Sequence, residues 1–226
     1  MRHLHRAPQP AAAAAAGFTL IELMVAIAVM ALLAIMSWRG LDGMSRAHEQ
    51  NRARGDAVLT LQTTLSQWSA DLDATIALSQ THPIDWDGRT LRLTRRGPDQ
   101  AQPVVYVVAW TVRGDSDGVQ RWRRWQSAPF VTRTEWQLAW DRAASWAQGG
   151  GSDARGADVA LMPLQNWQLA YFRDNLWTAA VGSEALGTTN PMPDGVRLVL
   201  DLPPGPALAG QLVRDWVRPT ANVPKS

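Results

Sequence analysis

The sequence predicts an α+β fold in which one long N-terminal helix is followed by, and packs on, antiparallel β-strands. Apolar residues run without interruption over 23–36 and then recur at helical spacing over 58–76. From residue 91 onward, short segments rich in β-branched and aromatic residues alternate with turn residues. Because the helical patterns all precede the strands, the order indicates α+β architecture rather than alternating α/β.

Composition narrows the class of protein. A chain of 226 residues suits one membrane-proximal segment plus one globular domain. It has no cysteine, so the fold uses neither a disulfide nor a thiolate metal site. The formal net charge is +2, and without Arg2 and Arg6 the remaining 20 basic residues balance 20 acidic ones. Bulk charge therefore argues against a nucleic-acid partner.

The segment 18–38 has the length and composition of a membrane helix. From Phe18 to Met36 only Thr19 and Glu22 are polar. A helix of this length spans ~28 Å, which is close to the hydrocarbon thickness of a bilayer. It is apolar on every side, unlike a surface helix. Glu22 is unusual there, since a carboxylate inside lipid costs roughly 2–3 kcal/mol or more and usually marks function.

Three interpretations of this segment compete. A cleaved secretory signal places small residues after the apolar run, whereas here the alanines of 11–16 precede it and no A-x-A pattern comes after it. A plain membrane anchor leaves Glu22 without a role. A segment that is cut in front of the apolar run explains both features, because the leader, residues 1–17, is removed and the helix is kept.

The stretch GFTLIELMVAIAVMALLAIM, at 17–36, resembles the N-terminus of prepilins, the class shared by type IV pilins and type II secretion pseudopilins. The resemblance implies that a prepilin peptidase and methylase cuts after Gly17 and methylates the new N-terminus at Phe18. It further implies that Glu22 pairs with the Phe18 amine of a neighbouring subunit and sets axial register. A buried carboxylate needs such a partner. The implied recognition and assembly residues are Thr19, Leu20, Ile21 and Glu22.

The same resemblance implies a single-pass protein of the bacterial inner membrane with its globular domain in the periplasm. Arginines also lie after the apolar run, so the positive-inside count does not itself place the N-terminus in the cytoplasm. Two features depart from the family pattern. Arg2 and Arg6 lie far from Gly17, and six alanines separate the leader's proline-rich part from that glycine.

Beyond the membrane segment, the helix is predicted to continue over 39–82. Apolar residues spaced by three and four form a stripe that would face a core, and His82-Pro83 is predicted to end the helix. Glycines at 40, 43 and 55 are weak points in it. The stripe consists of Val58, Leu61, Leu65, Trp68, Leu72 and Ile76.

Residues 83–218 are predicted to form a β-rich globular domain, and 219–226 a flexible tail. A turn is expected at 113–118 and a glycine-rich loop at 147–157. The predicted strands are 91–94, 104–112, 119–126, 134–140, 167–172, 196–202 and 211–217.

Several segments resemble minor pseudopilin J of type II secretion. One is a strand ending in a Tyr-x-Arg/Asp turn with a tryptophan after it, at 167–177. Two others are a proline-led strand of alternating apolar residues at 193–202 and an Arg-x-Trp strand at 214–216, and the middle segment 118–129 is also similar. The presence of Glu22 argues against the K-type pseudopilin, which generally lacks it.

The resemblance to pseudopilin J implies a structural subunit at the tip of the pseudopilus. Its partners would be the I- and K-type minor pseudopilins and the major pseudopilin, and it would help to start assembly of the filament that exports proteins across the outer membrane. A minor pilin of a type IV pilus is the alternative. A membrane-anchored periplasmic binding module is a second one.

Other motifs favour structural roles. In RWRRW, at 121–125, side chains alternate between two faces of a strand, so no single face collects a nucleic-acid patch. The motif DSDG at 115–118 lacks the glutamate of a calcium loop, since Gln126 stands at the twelfth position, and is predicted to be a hairpin turn. Asp71 and Asp73 face different directions on a helix. We therefore expect no catalytic site, no metal and no cofactor.

Overall fold

The computed structural model describes residues 17–98, 104–150, 158–182, 191–205 and 207–219. The leader up to residue 16 and the tail beyond residue 219 lie outside these residues. The described part is one long helix, then strands, with a second helix inserted, which confirms the predicted α+β class. The elements are α1 (Leu20–Asp73), β1 (Ile84–Trp86), β2 (Thr90–Arg96), β3 (Val105–Gly114), β4 (Gln120–Gln126), α2 (Arg133–Ala147), β5 (Asp158–Pro163), β6 (Asn166–Arg173), β7 (Leu176–Ala179), β8 (Gly195–Leu202) and β9 (Gly210–Val217).

The chain divides into two compact units, Met1–Glu49 and Gln50–Ser226. Helix α1 supplies the described helical residues of the first unit, and its last part, from Gln50 to Asp73, belongs to the second. The three glycines of α1 all have helical neighbours on both sides. The predicted weak points therefore do not interrupt the helix.

Helix α1 ends at Asp73 and not at residue 82 as the sequence predicted. The chain after it pairs with the first sheet instead: Ile76 donates its backbone N–H to the carbonyl of Thr94, and Arg96 donates to the carbonyl of Ala74, both at 2.9 Å. Ile76 is thus not part of the helical stripe. These strand-like bonds satisfy backbone groups that a longer helix would have used internally.

The nine strands of the described residues form two antiparallel sheets. The first has five strands in the order β1-β2-β3-β4-β5, and the second has four in the order β7-β6-β8-β9. Every neighbouring pair is antiparallel, as the sequence predicted. The short strands β1, β5 and β7 were not predicted, since three- to six-residue segments give little periodicity.

The predicted strand at 134–140 is wrong, because these residues form part of helix α2. Thr132 is the N-cap of this helix. Its hydroxyl accepts from the backbone N–H of Glu135 at 3.3 Å, and the Glu135 carboxylate accepts from the Thr132 N–H at 3.0 Å. The sequence TRTE at 132–135 is the corresponding capping-box signal, and the tryptophan-rich composition obscured it.

Two hydrophobic cores lie on opposite sides of the first sheet. The first core collects side chains from α1 and both sheets, and the second packs α2 on the first sheet. On β4, Trp122 belongs to the first core and Trp125 to the second, which confirms the predicted alternation at 121–125. Trp110 and Trp167 are buried in the first core, and Trp136 and Trp140 are buried in the second.

Candidate functional site

The predicted processing and assembly residues lie at the start of α1. Gly17 and Phe18 precede the helix, and Thr19 is the residue before its first helical position, Leu20. The side chain of Phe18 is 87% exposed, and Leu20 and Ile21 are exposed as well. All of these residues are therefore available to a peptidase or to a neighbouring chain.

Thr19 and Glu22 cap the helix reciprocally. The Thr19 hydroxyl accepts from the Glu22 N–H at 3.4 Å, and the Glu22 carboxylate accepts from the Thr19 N–H at 3.4 Å and from its hydroxyl at 3.3 Å. This is a capping box in a T-x-x-E sequence, a signal that sequence reasoning missed. Glu22 thus places a negative charge at the positive end of the helix dipole.

The apolar side chains of α1 up to Met36 are exposed. From Phe18 to Met36 every large apolar side chain is at least half exposed, and none of the strongest apolar window is buried. Within the described residues, α1 is the one helix long and apolar enough to cross a membrane. Such a surface requires an apolar environment supplied from outside the subunit.

Gly17 is not required by the fold of this chain. A Cβ atom built there would meet no described atom within 4 Å, and the backbone of Gly17 is not in the left-handed region that favours glycine. Any requirement for glycine at this position must therefore come from something that acts on the chain.

These same residues carry a known family signature. The prokaryotic N-terminal methylation motif matches residues 13–38. The chain is prepilin-like. No curated protein matches the chain. The family match ends at Trp38 and does not extend to the rest of the chain, from Arg39 onward.

The end of this helix is bound to both sheets by two carboxylates. Asp71 is fully buried and accepts from Trp110 Nε1 at 2.9 Å and from Arg124 on the first sheet. Asp73 accepts from Trp216 Nε1 of the second sheet at 2.7 Å. The two side chains face different directions, as predicted, and each binds α1 to a different sheet.

The DSDG segment forms the predicted hairpin turn between β3 and β4. Asp115 donates its backbone N–H to the carbonyl of Val119 at 3.0 Å, and Gly118 adopts a φ of +78°. Hydrogen bonds from Arg121 to the Asp117 carboxylate, at 2.6 and 2.9 Å, lower the pKa of that group to about 2. The turn carboxylates are thus bound by arginines of the same hairpin.

The C-terminal segments singled out in the sequence come together in the second sheet. The turn of the first segment joins β6 to β7, where Asp174 and Asn175 both have positive φ, as a type I′ turn requires. The proline-led segment is β8, in which buried and half-buried residues alternate, and the Arg-x-Trp segment is β9. β8 pairs with both β6 and β9.

Proposed function

We propose that this prepilin-like chain is the minor pseudopilin J of a type II secretion system. The observation that carries the proposal is the prepilin-type N-terminus on a helix that runs unbroken into the core of a two-sheet domain. A signal-peptide cut after the apolar run would sever that helix. A cut after Gly17 keeps the apolar segment and the core-packed segment on one helix.

In this function, prepilin peptidase releases residues 1–17 and methylates Phe18. The exposed apolar segment then lies in the inner membrane until it packs against other pseudopilins in the filament. In the mature chain, Glu22 lies one helical turn from the new N-terminus, near the amine that it would pair with on a neighbouring subunit. The globular domain, from Gln50 onward, would lie in the periplasm.

Support for a J-type subunit comes from the second sheet. The three C-terminal segments that resemble pseudopilin J lie in β6 to β9, so the resemblance falls on all four strands of the second sheet. The partners proposed from it are the I- and K-type minor pseudopilins and the major pseudopilin. We propose a structural role without catalysis, in which Asp71 and Asp73 bind α1 to the sheets.

A minor pilin of a type IV pilus is the second candidate, because it would have the same N-terminus. A deletion of the gene in its own bacterium separates the two. We expect the exported proteins to accumulate in the periplasm while surface pili remain, and the full chain supplied in trans to restore export. Loss of pili with normal export would assign the chain to a type IV pilus, and loss of neither would favour a membrane-anchored binding module.

Mass spectrometry of the mature chain tests the processing step directly. We expect an N-terminus at methylated Phe18 in membranes that contain the peptidase, and the full-length chain in membranes that lack it. An intact Met1 in both membranes would overturn the prepilin interpretation, and with it every assignment that depends on filament assembly.

A further inference from the structure

An open cavity of about 330 Å³ lies where the end of α1 meets the first sheet. Its lining is polar, and two arginines of that sheet, Arg95 of β2 and Arg124 of β4, contribute to it. The side chains of Arg95 and Arg124 are each only 13% exposed. The cavity is lined by Gln67, Arg95, Pro98, Tyr106, Arg124 and Gln126.

Among the described residues, the positive charge beside this cavity exceeds the negative charge. Arg95 and Arg124 both bind one carboxylate, that of Asp71, which is fully buried. Arg124 donates Nε to Oδ2 at 2.7 Å and Nη2 to Oδ1 at 2.9 Å, and Arg95 donates Nη1 to Oδ1. Two cations therefore share one anion, which leaves one positive charge unbalanced within the described part of the chain.

The single carboxylate is already saturated with donors. Besides the arginines, Asp71 accepts from Trp110 Nε1 at 2.9 Å and from Gln67 Nε2 at 3.1 Å. Five donor contacts use the lone pairs of both oxygens. A further donor on either guanidinium must therefore find its acceptor elsewhere.

Each arginine retains such a donor. Arg95 uses Nη1 on Asp71 and Nε on the carbonyl of Arg96, which leaves Nη2 without a hydrogen-bond acceptor among the described residues. Arg124 uses Nε and Nη2, the latter also on Gln126 Oε1 at 2.9 Å, and its Nη1 has no acceptor within that part of the chain. Both arginines line the cavity.

We propose that this cavity is a binding site for a carboxylate, held by the free guanidinium nitrogens of Arg95 and Arg124. A carboxylate supplies the missing negative charge and matches the planar donor geometry of arginine. The neutral side chains of Gln67, Gln126 and Tyr106 leave the cavity free of a competing acid on its described lining. The carboxylate comes either from a small free acid or from an acidic side chain of another polypeptide. The inference does not depend on the proposed secretion function.

The binding test uses the full chain in detergent micelles, at constant ionic strength, with succinate as the free acid. The indole N–H resonance of Trp110 reports on the site, because it donates to the carboxylate that both arginines share. We expect a saturable shift in the wild type and its loss in Arg95→Gln, which still leaves Asp71 paired bidentately with Arg124. Arg96→Gln, an equal charge change on the neighbouring exposed residue, should leave the shift unchanged.

A second variant supplies the carboxylate from within the chain. Gln126 already accepts from Arg124, so Gln126→Glu places a negative charge at nearly the same position. We expect it to abolish succinate binding and to raise the melting temperature relative to wild type. Unchanged succinate binding in Gln126→Glu or in Arg95→Gln would overturn the proposal. So would the absence of a saturable shift in the wild type both with succinate and with the glutamate peptide described next.

The source of the carboxylate is identified by a parallel titration with a short capped peptide that contains one glutamate, with the glutamine peptide as its control. Tighter binding of the glutamate peptide than of succinate assigns the site to a partner chain. Tighter binding of succinate assigns it to a free acid, and equal binding of the glutamate and glutamine peptides overturns a polypeptide source.

Discussion

The buried carboxylate of Asp71 receives two parallel hydrogen bonds from the guanidinium of Arg124, at 2.7 and 2.9 Å, across 53 positions of sequence. This pair fixes the end of α1 to β4 of the first sheet. Its geometry is bidentate, which is the strong form of an arginine–carboxylate contact.

Asp71→Ala should therefore destabilise the globular domain strongly. It removes the one carboxylate shared by Arg95 and Arg124 and leaves two largely buried cations without an ion-pair partner. We expect the free energy of unfolding to fall by roughly 3–5 kcal/mol, measured by urea titration with tryptophan fluorescence. Asp73→Ala is the matched control, since it loses a single hydrogen bond to Trp216 and should cost about 1 kcal/mol. Equal losses for the two variants would contradict this account.

Substitutions at Glu22 separate its role within the subunit from its proposed role between subunits. Glu22→Gln keeps a side chain that can complete the capping box with Thr19 but removes the charge, whereas Glu22→Ala removes both. If pairing with a neighbour's amine is required, both variants should be processed normally and fail to enter filaments, as measured by co-purification with the other subunits. Normal assembly of Glu22→Gln would show that capping is the role of this residue.

Gly17→Val should block removal of the leader without altering the fold. A Cβ atom at this position meets no described atom within 4 Å, so we expect an effect on processing to arise in the peptidase. Mass spectrometry should show the uncleaved chain, and urea unfolding should be unchanged. Gly40→Ala, also a site with nothing within 4 Å of the added Cβ, should be processed like the wild type. Normal cleavage of Gly17→Val would refute the assignment of the cleavage site.

The β3–β4 hairpin should show an acid-resistant carboxylate. Hydrogen bonds from Arg121, and one from the backbone of Val119, hold the pKa of Asp117 at about 2, below its ordinary 3.8. Because the folded-state pKa is depressed, the pairing stabilises the hairpin above pH 3.8 and is lost as pH falls through about 2. Carboxyl carbon NMR should give this midpoint, and Arg121→Gln should return it toward 3.8. Arg133→Gln, which changes an exposed arginine outside this hairpin, should leave the midpoint of Asp117 unchanged. A midpoint near 3.8 in the wild type would contradict the pairing of Asp117 with Arg121.

Local sequence patterns were sufficient to predict those elements whose conformation is determined by interactions between neighbouring residues. The membrane-length part of α1 follows from a continuous apolar run, and the DSDG turn follows from its turn residues. The two faces of RWRRW follow from the alternation of side chains along a strand. The order of helix before strands indicated the fold class for the same reason. The N-terminal motif also lies within one short segment, so the sequence alone determined the prepilin-like character of the chain.

The tertiary structure decided the features that depend on distant partners. Residues 134–140 have the composition of a strand, yet the Thr132–Glu135 cap and packing on the first sheet make them helical. Helix α1 ends at Asp73 because the chain after it hydrogen-bonds to β2, where the backbone N–H of Ile76 donates to the carbonyl of Thr94. The shared use of Asp71 by two arginines, and hence the cavity beside them, arises only when folding brings Arg95 of β2 and Arg124 of β4 to the end of α1. These contacts join residues that are far apart in the sequence and share no helical or strand periodicity. Only the folded chain brings their charges together.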